Sequence, residues 1–453
     1  MIKKIFVLLF ACICLFSAFT ACAEEHVHEY GEWAVTKEAE CEGLGTKERL
    51  CSCGEKEQGY LSALGHTFEN NVCVLCEAKA SEGFWFESYG DGTCCITGFG
   101  KCTDFELIFP THSPSGDRVI DIRDTVVPRD GTIKKIVFPN TLIDLDEFNG
   151  FRGLETVVIP TITEIQSVFK NCPDLKNICI PADLTCVYSD AFAGSVYYND
   201  PNNWENGALY LENYLLTVKA DVGESFAVKK GTILIARYAF RDCVGLTDVI
   251  LPESTEKIGY GAFYTCDALE ELHLPQNVSR VELGFNRNLK KITVDKNNPV
   301  YHVDGNCLIE TENKNLVYGV GSCVIPTDGS VTSIGDSAFY QCDTLTELVI
   351  PEAITEISDG AFSGCKTLKS ATLHRNIDII NRRVFQNCTA LERIDIGKPS
   401  IFSPLAIDGC FNLKEIIYHG TKAEWESVQK SWDREPKLSY TVVCTDGTIE
   451  KTK

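Results

Sequence analysis

Cysteine and histidine crowd together between residues 24 and 80: His26, His28, Cys41, Cys51-Ser-Cys53, His66 and Cys73-Val-Leu-Cys76. Cys73-x-x-Cys76 has the spacing of a zinc knuckle, and Cys51-x-Cys53-Gly54 offers an opposing pair. Zinc takes four soft or borderline ligands in a tetrahedron, and so short a segment needs a staple to hold a fold. Cys51, Cys53, Cys73 and Cys76 are therefore the predicted metal ligands. The competing chemistry is one or two disulfides, for example Cys41 with Cys51 or Cys53, which an exported chain favours. Either staple is structural, because the donors suffice to close a site and leave no open position for catalysis. The rest of the chain has no Gly-x-Ser-x-Gly, no His-Glu-x-x-His and no Gly-rich phosphate loop. His273, His302, His374 and His419 are scattered without a motif, so no enzyme is expected and no catalytic residue is named.

Export is read from the N-terminus. Lys3 and Lys4 precede an apolar run from Ile5 to Phe19, followed by small residues, which is the layout of a secretory signal over residues 1–22. The run is short for a membrane span. Ala21-Cys22-Ala23 permits cleavage after Ala23, while Phe19-Thr20-Ala21-Cys22 resembles a bacterial lipobox with Phe19 in place of the usual Leu, making Cys22 the lipidated residue. That lipid is the expected membrane attachment. A formal charge of -22 argues against nucleic acid and anionic membrane surfaces as partners, since both require a basic patch.

The elements that carry these residues follow from a repeat. The pattern Cys-x-x-Leu-x-x-apolar-x-apolar, or its opening, recurs at Cys172, Cys243, Cys266, Cys342, Cys365, Cys388 and Cys410, and three of the intervals are 23 residues. A fixed period of that length means a solenoid, in which each unit buries its apolar face only by stacking on its neighbour. A second signature, Ala262-Phe263, Ala338-Phe339, Ala361-Phe362 and Val384-Phe385, stands three or four residues before the cysteine. Prolines 139, 160, 181, 252, 275 and 351 share one phase and mark the ends of strands, because proline donates nothing to a ladder. The seven repeat cysteines read as small buried core thiols. Two long intervals, Cys172 to Cys243 and Cys266 to Cys342, carry Gly-led apolar pairs that predict β-hairpin inserts.

This array resembles the BspA-type leucine-rich repeat family of bacterial surface proteins over roughly residues 83–445. The resemblance implies a mainly β, right-handed leucine-rich repeat solenoid of coils about 23 residues long, and adhesion to host or microbial surfaces. The tail around Ile416-Ile-Tyr-His-Gly-Thr-Lys-Ala-Glu-Trp425 is similar to the family's closing segment, in which a tryptophan-bearing helix covers the last coil. Gly65-His66…Cys73-x-x-Cys76 is similar to small Cys/His modules of bacterial surface proteins, although Cys51 and Cys53 are separated by one residue rather than two. The expected organisation is a signal (1–22), a Cys/His-rich module (23–80), an opening cap (81–130), the repeat array (131–420) and a C-terminal cap (421–453).

With a period of two, the residue between the core apolars of each strand points outward. Those positions are Val137, Val158, Cys179, Ile250, His273, Thr293, Val349, Thr372, Asp395 and Ile417. Two residues earlier runs a mostly polar ladder, Lys135, Thr156, Asn177, Asp248, Glu271, Lys291, Glu347, Ser370, Arg393 and Glu415. The apolar stripe is a candidate contact surface for a protein or glycan, with Val137, Val158, Ile250, His273, Val349 and Ile417 as its binding residues. The competing account is the ordinary preference of strands for β-branched residues. A self-associating envelope component is the alternative function. Intact mass of the protein from its native membrane and medium fractions separates the two cuts: diacylglycerol on Cys22 marks a tethered lipoprotein, and an unmodified chain beginning at Glu24 a released one.

Overall fold

The computed structural model describes residues 30–451 apart from 146–147, 285–287, 321–322, 404 and 431–437. The signal segment, Cys22, His26 and His28 lie outside the described residues.

From residue 106 onward the chain winds as a solenoid whose strands pair in parallel and in register. Glu106–Ile108, Lys135–Val137, Thr156–Val158 and Asn177–Cys179 form one sheet, with Lys135, Thr156 and Asn177 side by side. Ser225–Ala227 pairs with Asp248–Ile250, and Glu271–Leu274 with Lys291–Val294. Glu347–Val349, Ser370–Thr372, Arg393–Ile396, Glu415–Tyr418 and Tyr440–Cys444 form the last parallel run. Along Glu271–Leu274 burial alternates, Leu272 and Leu274 inward and Glu271 and His273 outward, as a sheet with one packed face requires. Several strands stop at a proline whose carbonyl accepts from the third residue on, as in Thr255 N to Pro252 O (2.9 Å) and Ile354 N to Pro351 O (3.1 Å), whereas Ser370–Thr372, Arg393–Ile396 and Glu415–Tyr418 end without one.

The Ala-Phe signature has a backbone reason as well as a packing one. The Phe amide of one coil donates to the equivalent Ala or Val carbonyl of the next: Phe240 to Ala262 (2.7 Å), Phe339 to Ala361 (2.8 Å) and Phe362 to Val384 (2.9 Å). Ala leaves room for that approach, and the rings stack behind it, with centroids 5.2 Å apart for Phe240 and Phe263, 5.0 Å for Phe339 and Phe362, and 5.8 Å for Phe362 and Phe385.

The repeat cysteine does more than fill space. Its thiol donates to the Phe carbonyl one coil back, from Cys266 to Phe240 (3.1 Å), Cys365 to Phe339 (3.1 Å), Cys388 to Phe362 (3.1 Å) and Cys410 to Phe385 (3.0 Å). A serine would carry a stronger donor but a larger desolvation cost, whereas a thiol satisfies the carbonyl and stays apolar. The residue before each of these thiols takes the left-handed conformation, as at Asn387 (φ 60°) and Gly409 (φ 78°), which turns the chain so that the sulfur faces inward. No disulfide joins any of the twenty described cysteines.

Both long intervals are β-hairpins, as expected. Ala208–Leu211 and Tyr214–Val218 pair antiparallel, and the second of them joins in parallel the row of short strands Leu234–Ile235, Lys257–Ile258 and Arg280–Val281 on a second side of the coil. Tyr301–Asp304, Cys307–Glu310 and Asn315–Gly319 repeat the device against Ser333–Ile334. At the C-terminal end, the helix Lys422–Ser427 starts with a capping box between Thr421 and Glu424, and buries Trp425 against Tyr418 and Phe402. The antiparallel strand Gly447–Lys451 then closes the last sheet.

Truncating a ring in this stack removes contacts from two interfaces at once. Phe362→Ala should lower stability by about 3–5 kcal/mol in urea unfolding, whereas exposed Phe411→Ala should change it by less than about 0.5 kcal/mol.

Candidate functional site

Residues 30–80 form a small antiparallel sheet, Ala34–Lys37, Gly45–Leu50 and Lys56–Leu61, followed by the tight hairpin Phe68–Glu69 and Val72–Cys73. Asn70 and Asn71, both at positive φ, make the hairpin turn, and Glu77 (φ 61°) turns the chain back after Cys76. Trp33 lies over Gly59, where any side chain would collide with its ring, and stacks with Arg49 at 4.6 Å. This sheet brings the loop bearing Cys41 beside the hairpin bearing Cys73 and Cys76.

The result is a four-residue cluster of Cys41, His66, Cys73 and Cys76, with ligand atoms all within 4.8 Å of one another. Cys41 and Cys73 sulfurs are 3.8 Å apart, and His66 Nδ1 is 3.4 Å from Cys76 Sγ. Zn–S bonds of about 2.3 Å and a Zn–N bond of about 2.05 Å in a tetrahedron give S···S and S···N edges of about 3.8 and 3.6 Å. The Cys41–Cys73 and His66–Cys76 separations are close to those edges, and the set could hold a metal. The sequence placed Cys51 and Cys53 in it instead. In the structure Cys73 and Cys76 meet Cys41 and His66, while Cys51 and Cys53 face each other across the turn that joins two strands, with the Cys53 amide 3.5 Å from Cys51 Sγ. The disulfide alternative paired Cys41 with Cys51 or Cys53, yet the thiol beside Cys41 is Cys73. Of the two missed members, Cys41 and His66, the histidine had a visible signal, the Gly65-His66 step ahead of Cys73-x-x-Cys76.

The electrostatics favour deprotonation at Cys73 and oppose it at Cys41. Burial raises the Cys73 thiol, but the backbone N–H groups of Leu75 and Cys76 and the ring of His66 outweigh it and bring it down to about 6. Cys41 is pushed up to about 12 by burial and by the neighbouring Cys76 and Cys73 thiols, the repulsion that a cation would relieve. Behind the cluster, His66 Nε2 donates to Glu42 Oε1 at 3.1 Å, which leaves Nδ1 turned toward the sulfurs. The hydrogen bond from His66 and the ammonium of Lys135 hold Glu42 down at about 2 against the opposing effect of burial.

Lys135 belongs to the solenoid, and its ion pair with Glu42 is part of a seam. Asn140 donates to Leu64 O (3.3 Å), the Ala182 amide donates to Ser62 Oγ (2.9 Å), and Lys230 pairs with Glu55. Gly65 (φ 69°) sits so close that an added Cβ would lie 2.7 Å from Asn140 Cβ and 3.1 Å from Pro160. The module thus lies on the outward face of the first coils. A cleft of about 410 Å³ opens along the seam, walled by Trp33, Arg49 and Tyr60 on one side and Asn213, Ser254 and Lys257 on the other.

This docking divides the outward stripe. Val137 (0% exposed) and Val158 (3%) are buried, contrary to the expectation of an open face, and Cys179 is half-buried beside the backbone of Leu44. The two valines lie outside the solenoid's own core, on the face that the module contacts at Lys135, Asn140 and Pro160. Farther along, Ile250 (56%) and Val349 (71%) are open to solvent, as is His273, whose ring lies 3.0 Å from the Thr293 hydroxyl; Ile417 is half-buried. Val324 (69%), not singled out in the sequence, holds the phase before Pro326 that Val349 holds before Pro351. The polar ladder pairs from coil to coil, Lys291 with Glu271 (2.9 Å) and Arg393 with Glu415 (3.4 Å).

The model of the BspA type leucine rich repeat region matches in six copies, over residues 115–202, 222–325 and 319–428. The chain belongs to that family. No catalytic family is indicated for this BspA-type chain, and no curated protein matches it. Among solved structures it is similar to a leucine rich cell surface protein of Faecalibacterium prausnitzii (22% identity, 78% of this chain and 97% of that one, TM-score 0.39). It is also similar to a leucine-rich repeat protein of Eubacterium ventriosum (18%, 79% and 84%, TM-score 0.35) and to the pneumococcal vaccine antigen PcpA (14%, 89% and 94%, TM-score 0.37). Family membership rests on the repeat match and not on these superpositions. Among the described residues no helix is long and apolar enough to cross a membrane.

Substitution separates the two ligand sets. Cys41→Ser and His66→Ala should each abolish stoichiometric metal binding measured by elemental analysis, while Cys51→Ser and Cys53→Ser should leave about one metal per chain.

Proposed function

We propose that this BspA-type protein is an exported surface protein that binds a protein or glycan ligand, without catalysis, along the open part of its strand face. The observation that carries this reading is the run of solvent-facing apolar side chains at Ile250, Val324 and Val349, on a face whose first coils are already covered by another part of the chain. Exposed apolar groups carried at the same phase of a rigid stack of coils lose little on ordering when a partner docks, and the flanking charged ladder supplies orientation. Export follows from the signal, with a lipid on Cys22 as the tether. Zinc at Cys41, His66, Cys73 and Cys76 serves as the staple of the N-terminal module, because a closed set of three thiolates and one imidazole is a structural zinc set.

The triple replacement of Ile250, Val324 and Val349 by Ser should abolish binding to whichever glycan or extracellular protein the native chain selects from arrays of each. Unfolding in urea should shift by no more than about 0.5 kcal/mol per site, as expected for exposed positions. If the native chain selects nothing but sediments as oligomers that the triple variant loses, the stripe joins copies of this protein and the ligand-binding reading fails.

A further inference from the structure

The chain of contacts from the metal cluster does not end in the module. His66 turns Nδ1 toward the thiols and Nε2 toward Glu42 Oε1 (3.1 Å), while Glu42 Oε2 is paired with Lys135 on the solenoid. A carboxylate that receives the second nitrogen of a ligating histidine fixes the ring's tautomer and direction, and its removal weakens metal binding. Here the same carboxylate is the docking contact, half-buried at the point where the module meets the ladder of Val137 and Val158. The adjoining contacts lie on the same stretch of chain as the ligands: Ser62, Leu64 and Gly65 immediately precede His66.

Resting on the zinc reading above, we infer that zinc at Cys41, His66, Cys73 and Cys76 clamps the N-terminal module onto the first coils through Glu42 and Lys135, so that metal occupancy sets how much of the strand face is open. With metal bound, His66 is held with Nε2–H aimed at Glu42, and the 62–66 segment is fixed against Asn140, Pro160 and Ala182. Without it, only weak thiol hydrogen bonds tie the loop bearing Cys41 and Glu42 to the Cys73–Cys76 turn, and the module loses its lock. Release uncovers Val137, Val158 and Cys179, extends the apolar stripe toward the N-terminal end, and removes one wall of the seam cleft. Linkage makes the effect reciprocal: if metal favours docking, docking must favour metal by the same factor.

The experiment uses the full mature chain and zinc itself. Zinc content, zinc affinity by competition with a chromophoric chelator, iodoacetamide labelling of Cys179 resolved by peptide, and hydrogen exchange over 156–158 are measured with and without metal. The expected result is about one zinc per chain, with Cys179 labelling and exchange at 156–158 rising at least about ten-fold on chelation and returning on readdition. Glu42→Gln should weaken zinc by about ten- to hundred-fold. Lys135→Ala, which touches no ligand, should weaken it by about three-fold or more, and Lys56→Ala, whose partner Glu48 is inside the module, should not. Zinc that binds while its removal leaves Cys179 and 156–158 unchanged overturns the clamp and leaves the zinc staple standing. So does a Lys135→Ala chain whose Cys179 is uncovered yet whose zinc affinity is intact. A chain that holds no zinc overturns both.

Discussion

The coil-to-coil hydrogen bond of the Ala-Phe turn is the contact on which the rest of the solenoid depends. A Phe amide of one coil reaches the Ala or Val carbonyl of the next at 2.7–2.9 Å, which fixes the stacking distance at the side of the coil opposite the long strands. Once that distance is set, the Phe rings have one way to stack, and the repeat cysteine has a carbonyl waiting one coil back. The strands then fall into parallel register without further specification, since a slip of one residue would turn every buried Leu and Ile outward. Stability in such an array is carried by nearest neighbours, so both ends need covers. Trp425 and the antiparallel strand Gly447–Lys451 cover one end.

The N-terminal module plays a different part. It sits on the face of the sheet rather than on its end, and its contacts include the ion pairs of Glu42 with Lys135 and Glu55 with Lys230 and hydrogen bonds at Leu64 and Ser62. Exposed ion pairs contribute little each, so the many pairs along the polar ladder add register and solubility more than stability. Glu42 is different because both of its oxygens are engaged by groups from opposite sides of the seam. A Cys/His cluster that could hold a metal and a docking contact therefore meet at one carboxylate, and an array of near-identical coils acquires two unlike regions along the same face.

Much of this was legible in the chain itself. The 23-residue steps from Cys243 to Cys266, Cys342 to Cys365 and Cys365 to Cys388, with the phased prolines, determined a stack of coils, the strands, the hairpin inserts and six of the seven inward thiols, because periodicity is local and each coil repeats the same burial problem. Cys342 is only half-buried, its thiol beside the Thr344 hydroxyl. The Cys/His cluster was legible as chemistry but not as geometry: spacing picked out Cys73 and Cys76, whereas their partners are Cys41 and His66, joined by a three-stranded sheet whose closure no short motif encodes. Period two correctly turned Val137, Val158, Ile250 and Val349 away from the solenoid core. Only the tertiary structure decided which of them meet water, because that depends on where a module some seventy residues away in sequence comes to rest, and a non-local contact leaves no periodic trace in the chain.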